Sequence, residues 1–454
     1  MFENDGNITK AIKSNLVTEL EKTLQPSDYV TQDKWDQLQT ACLVDVMANI
    51  RGIEMKKHEN YGSFGDGFLN MIRSRACSAT RMDFIFDTYV AGSVKDAERL
   101  RRTKTTPIDI HSIAANVPLP KNLNTFWPSS SNKTMLQVFF KEHIISEANT
   151  KFPHATVVMS GTGGDAPTPA VSFQNSIVQL PELCYDIEEA DLRIIPHAMH
   201  AARAGYKRIV VLSSDTDVLV LLIYYWNVLN EQGLEEVWIR AGVGNSVRHI
   251  PVHTLCAKLG SDVCRILPSV HAISGCDNTS KVGTKSAALK ANPVMYLTGF
   301  GRSANYGEEC SANAESYIVQ LFKKDSQFKT LDELRYWLYH HSKATSLQDL
   351  PPTSREITSH IRRAFYITHM YTTCLETPSK LDPLQYGYEY SLDGLLLPSN
   401  DRKILPDDLI LGCKCKKCAR QSCECKRNAI PCISFCKCQA VLPENIDCQN
   451  THID

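Results

Sequence analysis

The chain has 454 residues, 43% of them hydrophobic, with 49 Lys and Arg against 50 Asp and Glu, a formal net charge of −1. The composition is globular and of a size for one large α/β domain plus something smaller. Charge this balanced singles out no partner for the chain as a whole; only its C-terminal stretch is locally basic. Met1-Phe2-Glu3-Asn4-Asp5 is acidic and polar, so no signal peptide is expected. The strongest apolar run, residues 218–226, falls far short of the ~20 residues of a membrane span. A soluble intracellular protein is the expectation.

In chain order, Ile8, Ile12, Leu16 and Leu20 recur at helical spacing and predict helix over residues 8–39. Residues 41–45 read as a short apolar strand ending in Asp45, and 64–75 as a helix. Residues 81–87 form a second strand ending in Asp87. Lys95, Asp96, Glu98, Arg99, Arg101, Arg102 and Lys104 read as a charged helix, either solvated or facing a phosphate. Pro107, Pro118, Pro120 and Trp127-Pro128 mark residues 107–133 as a loop. Helix over 134–148 and a strand over 155–160 follow. Gly161-Thr162-Gly163-Gly164 reads as a strand-end turn, since it lacks the pattern of a phosphate loop.

Residues 208–212 are an unbroken apolar run, the profile of a central parallel strand, and lead into Asp215-Thr216-Asp217. Residues 218–225 start another buried element, 236–240 a strand, and 251–259 a helix. Residues 267–289 read as helix, polar turn, helix, with Asp277 before the turn. Helical patterns recur at 314–322, 331–340 and 355–371, and 378–406 is a Pro- and Gly-punctuated connector.

Acids therefore stand at four strand or loop ends: Asp45, Asp87, the pair Asp215 and Asp217, and Asp277. The acidic stretch Asp186, Glu188, Glu189, Asp191 precedes a helix. Crowded carboxylates repel unless something cationic sits between them. Hard cations such as Mg²⁺ take oxygen ligands. Two of them about 4 Å apart can hold the attacking and leaving oxygens of a phosphodiester. Taken singly, each acid also reads as a turn or helix-start residue. Asp215 and Asp217 share a face if the strand stays extended. Glu189 and Asp191 work as a pair only at the helix's first turn, ahead of Pro196, or if one reaches the metal through water. His197 and His200, at i,i+3, lack a third ligand nearby and read as structural.

The order of the acids resembles the flap endonuclease (XPG-like) branch of the PIN-like nucleases. Val44-Asp45 is similar to that family's first strand acid, and Phe86-Asp87 with Lys95 and Arg99 to its "FDG…K…R" segment. Glu189-Ala190-Asp191 resembles its E-A-E, and Ser214-Asp215-Thr216-Asp217 its [ED]-D-x-D. Gly275-Cys276-Asp277 with Val282-Gly283-Thr284-Lys285 resembles G-x-D and "G-I-G-x-K". The likeness covers roughly residues 40–295. It implies an α/β fold with a PIN-like, mostly parallel central sheet flanked by helices, and a helix-two-turn-helix-like element. It implies two Mg²⁺ or Mn²⁺ ions on Asp45, Asp87, Glu189, Asp191, Asp215, Asp217 and Asp277, and hydrolysis of DNA phosphodiesters. Lys95 and Arg99 would act at the scissile phosphate; Arg101, Arg102, Lys281 and Lys285 would meet nucleic acid. An extra N-terminal helical stretch and a Pro-rich segment in place of the arch depart from the family. His271 to Ser280 also resembles a stretch of invertebrate proteins of mobile-element type. A metal-dependent DNA endo- or exonuclease is the implied function. A catalytically inactive DNA- or chromatin-binding scaffold and an RNA nuclease are the alternatives.

Nine of the 17 cysteines crowd the C-terminal end: Cys413, Cys415, Cys418, Cys423, Cys425, Cys432, Cys436, Cys438 and Cys448. So small and polar a segment folds only when stapled. Disulfides do not suit a reduced compartment or an odd count. Thiolate-bound Zn²⁺, about three ions if some sulfurs bridge, is the physical answer. Lys414, Lys416, Lys417, Arg420, Lys426, Arg427 and Lys437 face only Glu424, a charge suited to a nucleic-acid backbone; a purely structural or protein-binding module is the alternative. The spacing resembles half of a tesmin-like CXC domain, with Cys448-Gln449-Asn450 as its closing C-x-N, but without the tyrosine that family places before its fourth cysteine.

The expected organisation is an N-terminal helical extension (1–40), a nuclease domain (41–300), a helical extension (301–376), a connector (377–410) and a zinc module (411–454). A DNA partner implies the nucleus.

Overall fold

A computed structural model describes residues 8–29, 39–76, 78–90, 92–101, 106–161, 170–173, 176–242, 244–341, 350–376, 381–392 and 394–399. In the tail it describes 413–415, 418–419, 422–428, 430–432, 436–438 and 450. The chain divides into two compact units. One comprises Met1–Ser326 with Ile357–Ser399, the other Gln327–Glu356 with Asn400–Asp454. These units do not follow the expected boundaries at 300 and 377.

The first unit opens with helix α1 (Ser14–Glu21) and a 3-10 turn (Pro26–Asp28). The long helix expected over 8–39 is thus corrected to two turns: Pro26 has no amide proton to continue it. Of that expectation, residues 30–38 lie outside the described residues. Then come β1 (Thr40–Asp45), α2 (Val46–Arg51), α3 (Tyr61–Arg75), β2 (Arg81–Ile85) and α4 (Val94–Arg101). The Pro-rich stretch is more ordered than a loop: α5 (Leu123–Phe126) and α6 (Ser130–Lys151) begin inside it. Ser129 caps α6, and buried Asn132 ties the stretch down through the Ile108 and Phe126 carbonyls and the Ile110 amide.

Strands β3 (Thr156–Ser160), β4 (Ala170–Phe173) and β5 (Ile177–Leu180) follow, then α7 (Ala190–Arg203), β6 (Arg208–Leu212) and α8 (Thr216–Glu231). Next are β7 (Glu236–Ala241), β8 (Arg248–Pro251), α9 (Val252–Leu259), α10 (Ser261–Ser274), α11 (Lys285–Lys290), α12 (Pro293–Leu297) and α13 (Glu308–Phe322).

The sheet runs β5-β4-β3-β2-β1-β6-β7-β8. Its five middle strands are parallel; β4 and β8 run antiparallel to them, and β5 pairs antiparallel with β4 at the edge. The α/β sheet expected from the apolar runs is present. β1, β2 and β6 are buried along their whole length, as parallel strands covered on both faces must be. Cys42, Val44, Met82, Phe84 and Val210 pack on one face with Phe64, Phe68 and Phe140 of α3 and α6. The rings of Phe68 and Phe140 meet edge-on, centroids 5.1 Å apart. Helix α7 lies against β1 and β2.

Strand order reverses between β1 and β6. From β1 the chain moves outward to β2 and β3, and later returns to the other side of β1 as β6. Ligands of open α/β sheets bind outside the carboxyl ends of the strands at such a switch point. Gly161 closes β3 with φ +86°, where a side chain's Cβ would come within 2.3 Å of the Phe86 carbonyl.

In the second unit, α14 (Leu331–His341) precedes α15 (Ser354–Thr372), which from Ile357 onward belongs to the first unit. There His360 Nε2 meets the Ile273 carbonyl at 2.8 Å and Phe365 packs edge-on against Phe300. Residues 357–376 are therefore part of the α/β unit rather than an appendage to it. Among the described residues, no helix is long and apolar enough to cross a membrane.

Candidate metal centre

Three helix starts meet at the carboxyl ends of β1, β2 and β6. Asp45 ends β1 and caps α2, accepting the Ala48 amide at 3.1 Å. Asp87 accepts the amide of Ala190, the first residue of α7, at 2.9 Å. Asp215 caps α8, accepting the Asp217 amide at 2.9 Å. Each carboxylate thus satisfies an amide that the start of a helix leaves without an intrahelical partner. Capping accounts for one oxygen each of Asp45, Asp87 and Asp215, but gives no reason for Asp191 and Asp217.

Carboxylate oxygens of Asp191, Asp215 and Asp217 all lie within 4.8 Å of one another. The route differs from the extended strand expected for Asp215 and Asp217. β6 stops at Leu212, and the pair converges because Asp215 caps the helix whose first turn holds Asp217. Glu189 takes the cap position of α7 and Asp191 its first turn, with Pro196 farther along the same helix.

Burial, then the charges of Asp87 and Asp215, push Asp45 up to about 7. Burial, then Asp215, Asp45, Asp217 and Glu189, raise Asp191 well above the usual carboxylate range. Burial would raise Asp217 too, but Lys13, His271 and Lys95 reverse it and hold that carboxyl well below its ordinary value.

Two lysines balance the acids. Lys13 Nζ, just ahead of α1, lies 2.9 Å from Asp215, 3.0 Å from Asp217 and 3.1 Å from Asp277. Burial works against its charge, yet these three aspartates hold it protonated. Lys95 Nζ is 2.6 Å from Glu189 and 3.8 Å from Asp277. Arg99 bonds Glu188 at 2.8 Å, approaches Asp87 to 3.9 Å and stacks over the Tyr89 ring. The charged helix α4 thus turns Lys95 and Arg99 inward, and it is not a solvated face at those positions.

An all-carboxylate donor set, crowded at a switch point and balanced by ammonium groups, suits a hard divalent cation such as Mg²⁺ or Mn²⁺. Sequence reasoning missed two members of this neighbourhood. Lys13 carried no local signal, its partners lying more than 200 residues away. Buried His271, whose Nε2 is 2.7 Å from Asp217 Oδ1, stood in the same short stretch as Asp277 and could have been flagged.

Other expected site residues fall differently. Lys285 is buried, its Nζ on the His271 and Gly275 carbonyls and Ser274 Oγ at 3.1, 2.5 and 2.9 Å. It closes the end of α10, and its assignment to nucleic acid is corrected to a structural role. Lys281 is exposed. Arg102 and the Arg101 side chain lie outside the described residues. His197 is structural: its ring bonds Asp83 at 2.7 Å and Ser160 at 2.6 Å, and Arg81 pairs with the same Asp83.

In the second unit, eight of the nine tail cysteines are described, and Cys448, Lys416, Lys417 and Arg420 lie outside. They form three groups that could each hold a metal ion: Cys413-Cys415-Cys418-Cys423, Cys413-Cys425-Cys432-Cys436 and Cys413-Cys418-Cys432-Cys438. The sulfurs of each group lie within 4.8 Å of one another, with Cys413 3.3 Å from Cys418 and 3.9 Å from Cys438. A disulfide needs about 2 Å, whereas thiolates around tetrahedral Zn²⁺ stand ~3.8 Å apart. Lys414, Arg427 and Lys437 are exposed around the cluster.

No protein-family model matches the chain, and no curated protein matches it. Among solved structures it is similar to a flap endonuclease of bacteriophage T5, crystallised as a pseudo-enzyme–product complex with DNA and metal ions. Identity is 14%, coverage 74% of this chain and 91% of that one, and the TM-score 0.33.

Proposed function

We propose that the protein is a metal-dependent nuclease that hydrolyses DNA phosphodiesters, with a zinc-bound basic module that tethers it to nucleic acid in the nucleus. The convergence of Asp191, Asp215 and Asp217 within 4.8 Å at the sheet's switch point carries this reading. Asp45, Asp87, Glu189 and Asp277 complete the set that would hold two Mg²⁺ or Mn²⁺ ions. When bound, those ions supply Lewis-acid stabilisation to the phosphoryl oxygens. The chain's own residues do the rest. His271 orients Asp217, the helix starts fix Asp45, Asp87 and Asp215, and Lys95 and Arg99 bring positive charge to the phosphate. The cysteine groups would hold about three Zn²⁺, leaving Lys414, Arg427 and Lys437 for backbone attraction.

The test offers single-stranded, flapped, nicked and duplex DNA, and RNA, to purified protein with Mg²⁺ or Mn²⁺, beside Asp217→Asn. Cleavage of DNA by the wild type and none by the variant is expected. Cutting that persists in the variant overturns the metal-site assignment. Absence of cutting with retained DNA binding points instead to a scaffold, and cutting of RNA alone to an RNA nuclease.

A further inference from the structure

Lys13 stands where the proposed function needs a cation. Its ammonium is within 3.1 Å of three carboxylates, two at the start of α8 and one on the Asp277 turn. Both oxygens of Asp217 are engaged, Oδ1 by His271 and Oδ2 by Lys13. Asp215 Oδ1 is shared between Lys13 and the Asp217 amide.

The segment that delivers Lys13 has a seat shaped for it. The Thr9 carbonyl accepts the Lys281 amide at 2.7 Å, just past the Asp277 turn. Gly275 sits at φ +111°, and a Cβ there would come within 2.7 Å of the Ala11 side chain; only glycine lets the segment lie so close. Lys10 pairs with Glu98 at 2.6 Å, and Glu21 with Arg248 at 2.6 Å. Leu16 and Leu20 are the buried apolar residues of α1 itself. With Ile8 and Leu24 on either side of it, the segment buries four apolar residues and otherwise rests on hydrogen bonds and ion pairs, an anchorage small enough for a bound cation to compete with.

We infer that this N-terminal segment is a built-in plug, with Lys13 occupying the place of a divalent cation, so that cation binding and seating of Lys13 exclude each other. The inference rests on the metal reading of the acids. A dication brings twice the charge of an ammonium and takes its oxygen ligands at about 2.1 Å, against 2.9–3.1 Å for Lys13. A cation bound to the same three oxygens would need the space the Lys13 ammonium fills. The protein would rest with its acids neutralised from within and open when the metal level rises. If the plug is seated about nine-tenths of the time, apparent metal affinity is lowered about tenfold.

The experiment titrates Mn²⁺ into the full-length wild type, Lys13→Met, Lys13→Arg and Asp217→Asn by calorimetry. It also follows amide exchange over residues 14–21 of the wild type with and without Mn²⁺. Lys13→Met binding Mn²⁺ about tenfold tighter, Lys13→Arg resembling wild type, and faster exchange of α1 in the loaded protein support the plug. Equal or weaker binding by Lys13→Met, with binding lost in Asp217→Asn, overturns the plug while leaving the metal centre standing. No Mn²⁺ binding by wild type or Lys13→Met removes both. The exchange measurement needs no variant, and stronger α1 protection on adding Mn²⁺ overturns the plug even if Lys13→Met fails to fold.

Discussion

His271 Nε2 lies 2.7 Å from Asp217 Oδ1, and both side chains are enclosed. Asp217 is held ionised, so the bond has the imidazole N–H as donor and the carboxylate as acceptor. This fixes which Asp217 oxygen is left to face the other acids. In the proposed centre His271 would act by positioning Asp217. Outer partners of this kind typically matter 10–100-fold in metal affinity. His271→Ala is therefore expected to weaken Mn²⁺ binding by about that factor in calorimetry, with partial recovery in His271→Gln, whose amide can still donate. Equal affinities in all three proteins would show that Asp217 is held by its helix alone.

Lys95 bridges Glu189 and Asp277, 2.6 Å from the first and 3.8 Å from the second. An ammonium there can meet charge that develops on a phosphate, and losing one such donor costs roughly 10²–10³ in rate. Lys95→Ala should lower kcat for phosphodiester cleavage by about 10²-fold while Mn²⁺ affinity stays level or rises. A parallel fall in metal affinity would reassign Lys95 to holding the site's shape.

How much of this centre was legible in the sequence follows from where each signal resides. The apolar runs that became β1, β2 and β6 announced themselves, because a parallel strand buried on both faces cannot hide its composition. The acids at their ends were visible for the same reason. The pairing of Asp215 with Asp217 was read with the wrong backbone: Ser213-Ser214 ends the strand earlier, and an N-cap brings the two together as well as an extended strand does. The charged segment over Lys95 and Arg99 left two readings open because i,i+4 spacing gives a face but not what it faces. Lys13 was out of reach. Its meaning comes from three partners more than 200 residues away, and no local periodicity encodes such closure. The tail was legible as a metal module because thiolates without an apolar core leave few other ways to fold.

Cys413 belongs to all three cysteine groups, Cys415 to one. Cys413 also donates its backbone amide to Cys436 Sγ at 3.3 Å. Losing a ligand shared by every group should collapse the module, whereas losing a peripheral one should spare part of it. Cys413→Ser is expected to release nearly all the zinc from the full-length protein, and Cys415→Ser about one equivalent in three. Zinc released by a thiol-reactive titrant, read with a colorimetric chelator, distinguishes the two. Equal losses would mean that the sulfurs do not bridge.

Acid stability offers a test that needs no metal. His360 is fully enclosed in α15, with Nε2 on the Ile273 carbonyl at 2.8 Å and, among the described residues, no hydrogen-bond partner for Nδ1. Burial, reinforced by the charge of Arg363, lowers its pKa from 6.5 to about 3. Between those values the unfolded chain binds a proton that the folded chain refuses. Stability therefore rises with pH across this window and is lost on acidification from about 6.5 downward, at roughly 1.4 kcal/mol per pH unit for one such group. His249, lowered to about 4 by burial and the charge of Arg240, adds a slope of the same sign, so the wild type alone cannot separate them. His360→Gln keeps a donor for the Ile273 carbonyl and cannot titrate. Urea unfolding at pH 7 and pH 5, followed by tryptophan fluorescence, should show the wild type losing roughly 2 kcal/mol more than the variant. Identical losses would place a proton on His360 in the folded protein at pH 5, which its enclosure and the nearby guanidinium both oppose.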